Sequence, residues 1–341
     1  MRVVIANCSP PLRDTMDFRA AWAAHRPAPP PPTRLALFEQ PLGWGFHILA
    51  LGVLLLDRGI AERAEFWDFH PDRGTEWLPN GVLRVHFWNE ADVRAYVERT
   101  GYPDLFINYG RHGARLLRLL AGRSFRVDVP CLRAGLRRWM NFGAECYLVD
   151  DPRWLDARSR LYVPVVNARK IAPAERPATR DVVYLASCYP SKRHDLLLAA
   201  VRGTELTGHL HPVAAGALDL AGTHLTTSAW DERDVVELLT TSRIAVYPGD
   251  DTSNPAAMWE CVAADLPIVV NDAIRGGKHV VVPGVTGELA PAGRLRDVIL
   301  RTLERRAAYR PRAWFDAHWE PLAVLDGYLR FFQEMGWRCS S

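Results

Sequence analysis

Apolar and polar positions along this chain alternate between two periods. Short apolar runs end in polar turns, and longer stretches between them carry apolar residues every three or four positions. In the first half, residues 3–7, the AEFWDF segment ending at Phe69, and residues 82–88, 104–109 and 146–149 read as strands. FHILALGVLLLDRG, closed by Gly59, and the amphipathic stretch 90–99 read as helices. In the second half, residues 182–187 and 243–247 and the LPIVV run ending at Val270 read as strands. Helices are expected from Lys192 to about Arg202 and over AAMWECVAAD, ending at Asp265. The closing AWFDAHWEPLAVLDGYLRFFQEM reads as one amphipathic helix. Strands alternating with helices of this length imply an α/β fold, with parallel sheets covered on both faces. No internal repeat or heptad is evident.

A chain of 341 residues, 48% hydrophobic, is long enough for two domains with ample cores. Its net charge of +3 carries no bulk nucleic-acid signal. The six cysteines form no C-x-x-C pair, and several sit in apolar stretches, as buried reduced thiols do. That usage fits a cytoplasmic protein. The opening MRVVIANCSPP reads as a strand rather than a signal peptide, and the apolar run 48–56 is too short to span a bilayer. The expectation is a cytoplasmic chain, at most peripheral on the inner face of the membrane. Pro27–Pro32 reads as an exposed loop. After the strand at 146–149, LYVPVVNARKIAP is rich in proline and polar residues, which places a domain boundary near 176–180.

The segment 246–291 is the most informative. A strand ends in a polar turn that closes at Ser253-Asn254-Pro255, a helix N-terminus signal with proline at the first helical position. The AAMWECVAAD helix, the LPIVV strand and a Gly276-Gly277 loop follow. This βαβ unit points the positive end of its helix at the strand C-termini, where an anion would sit.

The segment resembles the donor half of GT-B glycosyltransferases of the retaining family-four type. Those enzymes carry a Glu-x7-Glu stretch, a small-residue helix, a Leu-Pro-Val-Val strand and a Gly-Gly loop. Here Glu260 matches the second Glu, residues 267–270 the strand, Gly276-Gly277 the loop and residues 284–287 the next turn. The first Glu falls at Thr252. The resemblance implies two Rossmann-like domains with parallel sheets facing a cleft, and a C-terminal helix crossing back to the first domain. Residues 1–176 with 310–341 would form the acceptor side, and residues 177–309 the donor side. It also implies transfer of a sugar from a nucleotide-sugar donor to a hydroxyl acceptor with retention. No cofactor or metal is expected beyond the donor itself.

On that resemblance Glu260 would accept from ribose hydroxyls, and Lys192 would hold the donor diphosphate. A lysine at a helix start opposes the helix dipole, which adds weight to a phosphate role. The arginine that accompanies this lysine in the family falls at Ser187, and Arg193 lies beside Lys192. Ser253 and Asn254 would cap the helix and face phosphate. Thr252 stands where a carboxylate would contact the transferred sugar, with Asp251 one residue earlier. Gly43-Trp44-Gly45 resembles the first-domain glycine loop, where glycine permits close backbone approach to the diphosphate. His47 would then face the cleft. His112 follows the 104–109 strand, which also carries Asn108, and is the candidate for the histidine that family members place beside the donor sugar. Asp150-Asp151 and Asp250-Asp251 read as turn caps and His209-Leu210-His211 lacks a third ligand, so no metal site is expected.

Between Arg111 and Arg138 lie eight arginines against Asp128, interleaved with leucine, tryptophan and methionine. Such a surface suits an acidic or lipid-linked acceptor, peripheral contact with anionic lipid, or simply a solvated helix face. Two other functions stay open: a GT-B epimerase or phosphorylase, and a sugar-nucleotide-binding subunit without turnover.

Overall fold

The structure is a computed structural model that describes residues 1–7, 35–40, 44–69, 74–109, 114–130, 143–149, 152–173, 177–250 and 255–338. The chain divides into two compact units. One comprises Met1–Gln40, Gly45–Val163 and Leu325–Ser341; the other comprises Pro41–Trp44 and Pro164–Val324. The division thus falls at Val163, ahead of the 176–180 stretch singled out by composition.

The first unit holds an eight-stranded sheet in the order β3-β4-β2-β1-β5-β6-β7-β8. Its strands are β1 (Arg2–Asn7), β2 (Arg63–Phe69), β3 (Gly74–Trp77), β4 (Leu83–Phe87), β5 (Leu105–Tyr109), β6 (Phe125–Val129), β7 (Cys146–Val149) and β8 (Ser159–Leu161). All neighbours run parallel except β3 against β4. Val3, Val4, Ile5 and Ala6 are fully buried, as a central strand covered on both faces requires. Helix α1 (Trp44–Asp57) follows the first strand, and α2 (Glu90–Thr100) and α3 (Ala114–Leu119) follow β4 and β5. Asn89 starts α2: its side-chain Oδ1 accepts from the Ala91 and Asp92 backbone N–H groups, and the Asp92 carboxylate accepts from the Asn89 backbone N–H at 3.0 Å. This reciprocal cap satisfies donors that a helix start otherwise leaves open. Trp67 anchors the core under α2, with its ring edge-on to Phe87 at 5.3 Å and Tyr96 at 5.9 Å.

The second unit is a six-stranded, wholly parallel sheet in the order β11-β10-β9-β12-β13-β14. Its strands are β9 (Arg180–Leu185), β10 (Thr207–His211), β11 (His224–Thr227), β12 (Ser242–Tyr247), β13 (Ile268–Asn271) and β14 (Gly287–Ala290). The helices are α4 (His194–Val201), α5 (Glu232–Thr241), α6 (Ala256–Ala263) and α7 (Leu295–Glu304). Counted from β9, the order is the 3-2-1-4-5-6 of dinucleotide folds, and it reverses between β9 and β12.

One reading from periodicity and one alternative raised by the arginine cluster need correction. The closing segment is two helices, α8 (Pro311–His318) and α9 (Pro321–Glu334), rather than one. A proline disfavours helical backbone in the residue before it, and the chain leaves α8 at Trp319 with φ −138°. The arginine-rich stretch is likewise no continuous helix, because β6 runs through it. From Leu325 onward α9 belongs to the first unit. Tyr328 donates to the Val163 carbonyl at 2.9 Å and accepts from the Val163 amide at 2.6 Å. Phe332 packs on Phe125 at 6.2 Å, and Arg58 pairs with Asp326. Among the described residues, no helix is long and apolar enough to cross a membrane.

Candidate functional site

In a doubly wound sheet, ligands bind beyond the strand C-termini where the strand order reverses. The second unit has a pocket of about 190 Å³ at that place. Tyr184 to Ser187 leave β9 along one wall, Tyr247 and Gly249 leave β12 along another, and Ile274 follows β13. Pro255, the residue that caps α6, and Lys192 complete the lining. The α6 N-terminus brings backbone N–H groups and a positive dipole end to a pocket that already holds an ammonium, a combination that suits an anion.

Lys192 ends a one-turn 3-10 helix, Pro190–Lys192, ahead of α4. Its carbonyl accepts from the Tyr184 hydroxyl at 2.7 Å, which ties the turn to β9. Gly249 lets β12's exit pass close beneath it. A Cβ at that position would lie 3.1 Å from the Ser191 carbonyl oxygen and 3.5 Å from the Lys192 Cα. Asn271 fastens the floor by donating to the Pro248 carbonyl at 2.7 Å.

Arg193, beside Lys192, is left-handed at φ 49°, ψ 46° and absent from the lining. It pairs with Asp195 at 2.9 Å and Asp250 at 3.3 Å, and both partners hold its guanidinium charged. His194 opens α4 with its ring tilted against Tyr184 at 4.8 Å. Burial holds it below the ordinary histidine pKa, partly opposed by a hydrogen bond with the Ala186 backbone.

Glu260 lies one and a half turns into α6 and is only 8% exposed. Among the described residues, no hydrogen bond or ion pair reaches its carboxylate. Burial alone pushes its pKa up to about 7. Its charge is felt at Tyr247, in the pocket wall. A carboxylate withdrawn from water without a partner is expensive unless a ligand supplies donors.

Solved structures share this architecture. Sucrose-phosphate synthase from Thermosynechococcus elongatus superposes with a TM-score of 0.72 at 16% identity, covering 98% of this chain and 99% of the other. HepE of Anabaena, solved in complex with UDP, gives 0.67 at 11% identity over 98% and 100% of the two chains. A glycosyltransferase from Rickettsia africae gives 0.64 at 10% identity over 98% of each chain. The fold is GT-B. No family model and no curated protein matches the sequence.

Of the residues singled out by the GT-B resemblance, Lys192 and Ser187 line the pocket, Glu260 stands in the helix behind it, and Arg193 is engaged by carboxylates. Gly277 takes the left-handed conformation at φ 77° that starts the turn Lys278–Val280. Gly45 and His47 lie in the first turn of α1, in the region of the other unit. Gly43, His112, Asp251, Thr252, Ser253 and Asn254 fall outside the described residues. Among the described residues, no three His, Cys, Asp or Glu side chains come together as a metal site.

Sequence reasoning passed over two features. Tyr184 and Tyr247, read only as strand residues, form pocket walls and meet edge-on at 5.4 Å. Their place at the C-terminal ends of two strands bordering the reversal, Tyr184 next to last and Tyr247 last, was the available signal. In the first unit, Asp128 and Asn108 face each other across β5 and β6, with the Asn108 amide donating at 2.6 Å. Burial pushes the Asp128 carboxyl up to about 7 despite that hydrogen bond. A lone carboxylate inside the apolar run FRVDV was the signal there.

Proposed function

We propose that this chain is a glycosyltransferase that moves a sugar from a nucleoside-diphosphate sugar to a hydroxyl acceptor, with retention at the anomeric carbon. The observation that carries this reading is Glu260, a buried carboxylate without a partner among the described residues, behind a Lys192-lined pocket at the strand reversal. HepE, of the same fold, has been solved with UDP and with UDP-glucose. The pneumococcal transferase GtfA has been solved with UDP and GlcNAc.

In this reading Lys192 and the α6 N-terminus hold the diphosphate, and Glu260 accepts from the ribose hydroxyls. The bond from the anomeric carbon to the diphosphate breaks as the acceptor oxygen bonds to that carbon. The acceptor proton passes to the departing phosphate oxygen, so no protein nucleophile is needed. The protein positions the reactants and stabilises charge growing on the phosphate. Ser187, where family members carry an arginine, leaves Lys192 as the cation of the described lining. No cofactor and no divalent ion enters this scheme. His112, Thr252 and Asp251 are its candidates for contacts to the transferred sugar.

The test is release of nucleoside diphosphate from a panel of nucleotide sugars, with and without hydroxyl acceptors and with chelator. Acceptor-dependent, chelator-resistant release with an axial glycosidic product from an axial donor is the expected result. Acceptor-independent release would point to an epimerase or hydrolase. Binding without release would indicate a non-catalytic subunit.

A further inference from the structure

The arginine-rich stretch of the first unit resolves into arginines with distinct tasks. Arg126 turns inward: its guanidinium meets Glu145 at 2.6 Å and donates to the Leu117 carbonyl at 2.6 Å. Arg123 lies over the Tyr102 ring at 5.4 Å. Arg115 and Arg118 stay exposed on α3, one helical turn apart, and Arg94 faces them from α2.

These three arginines border an open groove of about 540 Å³ between the two helices. Among the described residues Glu90 is the one carboxylate that lines the groove, and it pairs with Arg115 at 2.9 Å. Among the described residues, Arg94 and Arg118 have no ion pair or hydrogen bond to their guanidinium groups. Three guanidiniums against one carboxylate leave two positive charges uncompensated in a concavity. Residues three or four apart lie on one helix face, so Arg94 stands with Glu90, and Arg115 with Arg118. The groove therefore offers donors from two walls.

We propose that this groove binds a phosphomonoester dianion. Two uncompensated charges match a dianion, and planar forked donors on opposite walls match a tetrahedral group with several acceptor oxygens. A carboxylate has only two oxygens and one charge. The volume holds a phosphate together with part of the group that carries it. Among the described residues the apolar lining is Leu119 and Ala91, which offers little to a lipid tail. The dianion belongs to a soluble phosphorylated molecule or to a lipid headgroup, and the inference is independent of how the second unit is used.

Calorimetric titration tests it with glycerol 3-phosphate, with glycerol, and with phosphatidylcholine vesicles that contain or lack phosphatidic acid. The wild type should bind glycerol 3-phosphate and not glycerol. The double variant Arg94→Gln/Arg118→Gln should bind it roughly tenfold more weakly at an unchanged melting temperature. Arg330→Gln, another exposed arginine of this unit, should leave binding unchanged. Binding to phosphatidic acid vesicles that is lost in the double variant would assign the headgroup source, and its absence the soluble source. No response to glycerol 3-phosphate would overturn the proposal. Equal weakening by Arg330→Gln would overturn it too, because net charge would then suffice.

Discussion

At the residue scale, Glu260 sets stability against binding. Its pKa rises from 4.5 to about 7 through burial, so the native state holds a proton that the unfolded chain has already released between those values. Stability therefore falls as pH rises through that window and is flat above it, by roughly 3 kcal/mol for a shift of this size. Asp128, raised from 3.8 to about 7, acts with the same sign. The protein should melt at a higher temperature at pH 5.5 than at pH 8, the reverse of a chain whose carboxylates are ion-paired. Glu260→Met should raise stability at pH 8 by about 1–3 kcal/mol, since a well-packed apolar side chain replaces an uncompensated charge. Glu260→Gln should weaken nucleoside diphosphate binding by about 1.5–3 kcal/mol. In the wild type that affinity should fall below pH 7, as the carboxylate takes up the proton that blocks acceptance from ribose. Thermal melts across pH check the stability claims, and calorimetry at pH 6 and pH 8 checks the binding ones. A Glu260→Met variant less stable than the wild type at pH 8 would show that the carboxylate has a structural partner.

At the scale of elements, the proposed donor pocket depends on two close approaches. The 3-10 turn carrying Lys192 is pinned from β9 by Tyr184 and underlain by Gly249 from β12. Gly249→Ala would place a methyl 3.1 Å from the Ser191 carbonyl and push the turn outward. Diphosphate affinity should drop severalfold while the far-ultraviolet spectrum stays unchanged, and equal affinity would detach the turn from the site. Most of these elements were legible in the sequence. The strands at 146–149 and 243–247 and the helix behind Ser253-Asn254-Pro255 announced themselves by apolar runs between turn residues. The two-residue gap before Pro321 was hidden, because apolar periodicity continues across it. β6 was hidden for a different reason. Its arginine and aspartate read as surface, whereas Arg126 is ion-paired with Glu145, and Asp128 is buried and accepts from Asn108. Side-chain partners of that kind come from distant positions, and no local pattern reveals them.

At the scale of the whole molecule, two doubly wound units on one chain separate the chemistry. Anion-binding features of the second unit gather where its strand order reverses, and the first unit keeps its uncompensated arginines between α2 and α3. The strand, helix and strand read from 246–291 are β12, α6 and β13, legible because βαβ connectivity leaves a strong sequence trace. Which arginine would stay exposed was not legible, since that depends on packing between helices. In the proposed function, the pocket bounded by β9, β12 and α6 is a nucleoside-diphosphate site. Calorimetric titration of wild type and Lys192→Ala with a panel of nucleoside diphosphates and the matching nucleosides tests it most directly. The account predicts that at least one diphosphate binds the wild type. It also predicts that Lys192→Ala weakens that diphosphate roughly tenfold or more while leaving the nucleoside almost unchanged. Failure of every diphosphate to bind, or an equal loss for diphosphate and nucleoside in the variant, would contradict it.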